Sequence, residues 1–302
     1  MERYRWELIP PGDPRIIDAA MVGAKAANLS RALLLGYRVP EMLVMQLRAN
    51  AHGQDLSESH PGETGGNELP FKGEDVESSL LGQAISALRE SSSASSKPRF
   101  IVRSSSQDED REDFSHPGQF LSLVVDDHPA LLAQALNRVC TAGRPSLEGE
   151  SSEAAQAPSL GVMVNILVDA KASGVCFSHH PSSRAPGCMA IEHVKGQGFG
   201  MNQPLVKPAR ATLLRSGEAV IRRAGSQSIV VTSWGYEIVP NQRVDPLEPQ
   251  FEARLWEMAM ALERDFGFGV DMEWCIDAEG EIILLQVRPI TTPVPLDPIG
   301  PN

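Results

Sequence analysis

The stretch VDMEWCIDAEGEIILLQVRPI, residues 270–290, decides how this chain is read. Two apolar-rich runs flank the turn AEGE at 278–281, the pattern of a β-hairpin. Along the first run Asp271, Glu273 and Cys275 alternate with Met272, Trp274 and Ile276, so Asp271 and Glu273 share one face. Along the second, Gln286 and Arg288 are two residues apart and share a face, interrupting an otherwise apolar strand. Alternation leaves two readings open. In one, the hairpin is a half-exposed edge whose polar residues meet solvent. In the other, Glu273 and Gln286 hold a divalent cation and Arg288 binds a phosphate. Mg²⁺ takes hard oxygen ligands and leaves room for water and phosphates. Guanidinium binds phosphate through two parallel hydrogen bonds.

Outward from the hairpin, FEARLWEMAMALERDFG (251–267) has helical spacing, with Trp256, Met260 and Phe266 on or near its apolar side. Residues 23–36, GAKAANLSRALLLG, also repeat as a helix and stop at Gly36. Helices are expected at 76–90 and 129–140. Strands are expected in VPEMLVM, FIVRS, QFLSLVV, LGVMVNILV, SGVCFS, MAIEHV, ATLLRS and SIVVTS. Residues 50–75, 91–98 and 143–159 are rich in Gly, Ser and Pro and read as loops. Strands and helices mix without a βαβ rhythm, which favours an α+β chain with antiparallel sheets over a doubly wound fold.

The 302 residues suffice for one large domain or two lobes. A net charge of −12 argues against a nucleic-acid or anionic-membrane partner. No run of about 18 apolar residues predicts a membrane span. The polar start lacks a signal-peptide core, so a cytoplasmic protein is expected. Cys140, Cys176, Cys188 and Cys275 lack metal-ligand spacing and read as reduced, mostly buried thiols.

Two further places could carry chemistry. Lys25 follows a glycine near the start of an apolar helix; it is either a snorkelling surface lysine or a phosphate ligand. The P-loop spacing is absent. In FIVRSSSQDEDREDFSHPGQF (100–120), Arg103 ends a strand and Ser104, Ser105 and Ser106 offer hydroxyls before the Pro117-Gly118 turn. Such a loop either folds over a polyphosphate or is an acidic surface loop.

Taken in order, GAKAANLSRALLLGYRVPEMLVM, IVRSSSQDED…SHPGQF, VMVNILVDAKASGVCFSHHP, IEHVKGQGFG and DMEWCID…IILLQVRPITT resemble the ATP-binding domain of the phosphoenolpyruvate synthase, pyruvate phosphate dikinase and rifampin phosphotransferase family. The resemblance covers about residues 20–292, and LQVRPITT and the VRSSS…GQ loop are its most specific parts. It implies an α+β ATP-grasp fold whose two antiparallel-sheet lobes clamp ATP. Residues 1–160 would carry the phosphate-contacting Lys25 and Arg103, with Ser104, and a lid around Gly118 and Gln119. Residues 161–292 would carry the adenine hinge, with Val164, Asn165 and Leu167, and the metal site, with Glu273 and Gln286 on Mg²⁺ and Arg288 on phosphate. Residues 293–302 would be a proline-rich tail of linker character.

The chain departs from that pattern in places. Asn165 stands where the family commonly has Gln, and Phe199 in KGQGFG where an acid is usual. Full-length relatives carry a phosphorylatable histidine in a T-S-H context on a swivelling domain. None of His52, His60, His116, His128, His179, His180 and His193 has that context, and they read as loop or core residues. Three functions are therefore expected in turn. The first is a dikinase-type, Mg-ATP-binding phosphotransferase domain or subunit, incomplete without a partner. It passes a phosphoryl or pyrophosphoryl group to a histidine on a separate domain or protein, for onward transfer to a small-molecule acceptor. The second is a self-sufficient small-molecule kinase or ATP-grasp ligase. The third is a non-catalytic ATP-binding module.

Overall fold

The computed structural model of the chain describes residues 4–49, 71–72, 79–91, 97–106, 121–143, 159–180, 187–201 and 203–290. The chain divides into two compact units: Met1–Arg31 with Pro40–Leu167, and Ala32–Val39 with Val168–Asn302.

The first unit is built on five strands, β1 (Tyr4–Ile9), β2 (Met42–Ala49), β3 (Arg99–Ser105), β4 (Ser122–Asp126) and β5 (Ser159–Ile166). Their order is β1-β2-β5-β3-β4, and every neighbouring pair is antiparallel. Strict alternation sorts the side chains. Leu160, Val162 and Val164 of β5 and Phe100 and Val102 of β3 are buried in one core with helices α2 (Leu80–Ser91) and α3 (Pro129–Ala142). Those helices supply Leu81, Ile85, Leu132 and Leu136 to it. Helix α3 starts where His128 Nδ1 accepts a bond from Ala130 N–H, and its Pro129 fits a first turn that lacks a hydrogen-bonding partner for N–H anyway. The expected border at 160/161 cuts through β5, the central strand of this sheet; the units part after Leu167 instead.

Helix α1 (Ala19–Leu34) meets the opposite face of the sheet. It is broken at Gly23, whose φ of 78° only glycine adopts at little cost. A Cβ there would lie 2.1 Å from Ser105 O, and one on Gly161 would lie 1.7 Å from Val22 O. Bare glycine backbone is thus what lets the helix approach β3 and β5. The expected helix start at residue 23 is in fact this break.

The second unit holds a six-stranded antiparallel sheet ordered β10-β9-β7-β6-β13-β14. Its strands are β6 (Ala172–Phe177), β7 (Cys188–Lys195), β9 (Ala209–Leu214), β10 (Ala219–Arg223), β13 (Val270–Ile276) and β14 (Ile282–Pro289). A smaller sheet, β12-β11-β8, joins β8 (Val206–Lys207), β11 (Gly225–Thr232) and β12 (Gly235–Val244). Helix α4 (Pro249–Phe266) buries Leu255, Ala259, Leu262 and Phe266 as one stripe and packs on β13 and β6; Trp256 and Met260 are only half-buried. The large sheet's buried face carries Trp274, Met272, Cys176, Met189 and Ile191. Its other face carries the polar residues of interest. All four cysteines are free, and three of them are buried. Strands β1, β10 and β12 lack clean alternation and escape a pattern reading.

Candidate functional site

In the second unit the hairpin register brings four polar residues together. Asp271 lies opposite Arg288, and Glu273 lies opposite Gln286. Directly opposed residues of an antiparallel pair share a face. A β-bulge between Glu273 and Trp274 makes this possible. By plain alternation Ile282, Leu284, Gln286 and Arg288 would all point the same way. The bulge absorbs Leu285, so Leu284 pairs with Trp274 in the core while Gln286 and Arg288 stay with the acids.

Arg288 Nε donates to Asp271 Oδ2 at 2.7 Å. Asp271 is 6% exposed, whereas the Arg288 side chain is 43% exposed. The buried carboxylate therefore holds a guanidinium that is itself only part-buried. Asp271 is the residue to add to the expected site. Its signal was the D-x-E spacing, which puts it on the Glu273 face. Glu273 and Gln286 offer one carboxylate and one amide oxygen, a donor set that suits Mg²⁺ when phosphate and water complete the shell. No cluster of three or more His, Cys, Asp or Glu side chains suited to a metal occurs among the described residues.

In the first unit, Arg103 of β3 lies opposite Met163 and shares a face with Ser105 and Asn165. Ser105 Oγ accepts a bond from Ala26 N–H at 2.9 Å, and Ser106 O accepts one from Ala24 N–H at 3.1 Å. Two serines of the R-S-S-S run thus cap the helix that restarts after Gly23. Lys25 lies between the two capped residues, so the caps tie it to the β3 end that carries Arg103. The sequence spacing of nearly 80 residues hid this link.

Ser104 is fully buried on the face packed by α2 and α3, and its Oγ accepts from Leu121 N–H at 3.1 Å. It points away from Arg103 and ties β3 to the start of β4. Val164 is likewise a core side chain, at 0% exposure. Asn165 lies on the other face, buried to 2%, and its amide oxygen and nitrogen find no hydrogen-bond partner among the described residues. Leu167 N–H donates to Arg99 O at 2.8 Å and closes the strand. Gly118 and Gln119 lie outside the described residues.

The KGQGFG segment forms a short 3-10 turn, Gly198–Gly200. Gln197 Nε2 donates to Val168 O at 2.6 Å, and Phe199 is 46% exposed.

A search for related sequence families matches residues 72–294 to the pyruvate phosphate dikinase AMP/ATP-binding domain. The chain belongs to this family. Its fold is accordingly α+β of the ATP-grasp type, with antiparallel sheets in both units. Family relatives include the phosphotransferase YvkC of Bacillus subtilis, 27% identical over 91% of this chain and 34% of that protein. A rifampicin phosphotransferase of a Streptomyces species is 28% identical, covering 65% of this chain and 24% of the relative. A probable phosphoenolpyruvate synthase of Archaeoglobus fulgidus is 28% identical over 63% of this chain and 27% of its own length. The chain thus spans about a third or less of these curated relatives. Among solved structures, the D-alanine-D-alanine ligase of Coxiella burnetii aligns over 89% of this chain and 47% of its own, at 8% identity and a TM-score of 0.39. So low a score adds nothing to the family match. No helix among the described residues is long and apolar enough to cross a membrane.

Proposed function

We propose that this family member binds Mg-ATP and transfers a phosphoryl or pyrophosphoryl group to a histidine on a separate domain or protein, for onward transfer to a small molecule. The observation that carries the reading is the hairpin register, which sets Glu273 and Gln286 beside an Asp271-held Arg288 on one sheet face. Glu273 and Gln286 would hold Mg²⁺, which when bound neutralises phosphate charge. Arg288, held by Asp271 and only part-buried, would bind phosphate oxygens as negative charge shifts between them. The family resemblance adds Lys25 and Arg103 to this reading as phosphate ligands. Asn165 would find its missing hydrogen-bond partner in the nucleotide. Phosphoryl transfer asks little covalent chemistry of the protein, so positioning and charge neutralisation are the whole contribution of these side chains.

The test is phosphorus NMR of the chain with Mg-ATP, alone and with a phosphohistidine-domain protein from a relative. AMP formed only with that protein supports the proposal. Nucleotide consumed with a small molecule alone would support a self-sufficient kinase or ligase instead. Failure to bind Mg-ATP at all would overturn the site.

A further inference from the structure

The open face of the second unit's large sheet continues past Glu273 toward its other edge. Across neighbouring strands one row reads Gln286, Glu273, Val175, Glu192, Arg210 and Arg223. Strands are about 4.8 Å apart, so Arg210 and Arg223 stand two and three strands beyond Val175 and well away from Glu273. These two arginines lie directly opposite each other. Like charges in that relation destabilise a sheet unless something answers them.

One answer is partial. Arg210 Nε meets Glu192 Oε1 at 3.0 Å. Arg223 has no ion pair among the described residues. Arg38 of the same unit likewise has none, whereas Arg215, Arg222, Arg243, Arg254 and Arg264 each hold a carboxylate. The backbone N–H of His180 donates to Cys188 O at 2.7 Å, at the start of β7. On the same face, one pleat repeat along, Ile221 is 42% exposed; Leu214, at the end of β9, is 38% exposed.

We infer that Arg223 and Arg210 form a binding site for the phosphate of a phosphate monoester, distinct from the candidate nucleotide site. Two guanidinium groups facing one another suit a tetrahedral dianion, which offers each of them two acceptor oxygens. A planar carboxylate satisfies one. Ile221 and Leu214 supply apolar surface for the organic part of the ester. The site does not depend on the nucleotide reading, because none of its residues belongs to it.

Calorimetric titration without nucleotide tests this, with phenyl phosphate, inorganic phosphate and acetate as probes. The expected order of affinity is phenyl phosphate, then inorganic phosphate, then acetate. Equal binding of the first two would still support the phosphate site and assign it to free phosphate. Arg223→Gln should weaken phosphate binding by about tenfold or more, the effect of losing a charge-assisted donor group. It should leave Mg-ATP affinity unchanged, and Arg223→Lys should recover part of the loss if the glutamine variant folds poorly. No phosphate binding by the native chain, or acetate binding as tightly as phosphate, overturns the proposal. So does phosphate binding that Arg288→Ala abolishes and Arg223→Gln spares, since the anion then sits in the nucleotide site.

Discussion

Arg288→Ala deprives the buried Asp271 carboxylate of its guanidinium donor. Taking a hydrogen-bonding donor from a buried charge is expensive, but the half-exposed arginine lets water in, so the loss of stability should be about 1–2 kcal/mol. Adding Asp271→Asn in the same chain should recover part of it, as urea denaturation of the two variants will read. Phosphoryl transfer should fall by about 100-fold or more, in line with removal of a preorganised charge donor. Full turnover in Arg288→Ala would remove that side chain from the site. Glu273→Gln should raise the Mg²⁺ concentration needed for half-maximal nucleotide binding; a titration superimposable on the native one would exclude Glu273 as a ligand. At this scale the D-x-E and Q-x-R spacings were legible because a strand repeats every two residues. That same rule separates Arg103 from Ser104, but which face the helices cover is not written in the local pattern.

Between elements, close approach rather than side-chain chemistry sets the first unit's geometry. Gly161→Ala would drive a Cβ into Val22 O, a backbone atom that cannot swing aside. A loss of about 3 kcal/mol or more is expected in thermal or chemical denaturation, at the upper end of overpacking costs. Gly280→Ala, in the open turn with nothing within 4 Å, lacks the clash and should lose only about 1 kcal/mol, from its φ of 84°. Equal losses would mean that α1 does not press on β5. The helix that restarts after Gly23 shows why element ends are hard to read. Its caps, Ser105 at the end of β3 and Ser106 just after it, come from far away in sequence. The β14 bulge is similar, since only pairing with β13 reveals that Leu285 is the extra residue.

Across the whole molecule the chain visits its second unit twice, first as Ala32–Val39 and then from Val168 onward. Gly36, at φ 90°, ends α1, and Tyr37 O–H then donates to Asp265 Oδ2 at 2.9 Å. Arg38 O accepts from Leu284 N–H at 2.8 Å, fixing the visiting segment to β14. Burial first, and then the Asp265 hydrogen bond, push the Tyr37 phenol from 10.0 up to about 12. The unfolded chain thus loses this proton at lower pH than the folded one. The contribution is complete below pH 10.0 and falls away as pH rises toward about 12. Tyr37→Phe should be less stable near neutral pH and show a shallower loss over that alkaline window. Parallel curves for the two proteins in melting experiments would show that the phenol does not titrate on unfolding.

The sequence alone determined the α+β class, the terminal hairpin, the main helices and the family, because each rests on a local period or an ordered set of motifs. It also offered Glu273, Gln286 and Arg288 as candidates for metal and phosphate through short, readable spacings, and Lys25 and Arg103 through the family resemblance. Tertiary structure alone decided that Asp271 holds Arg288, that Ser104 is core, that Ser105 caps a distant helix and that Arg223 faces Arg210. Those relations depend on strand register and on which face is packed, and both are set by contacts between residues far apart in the chain.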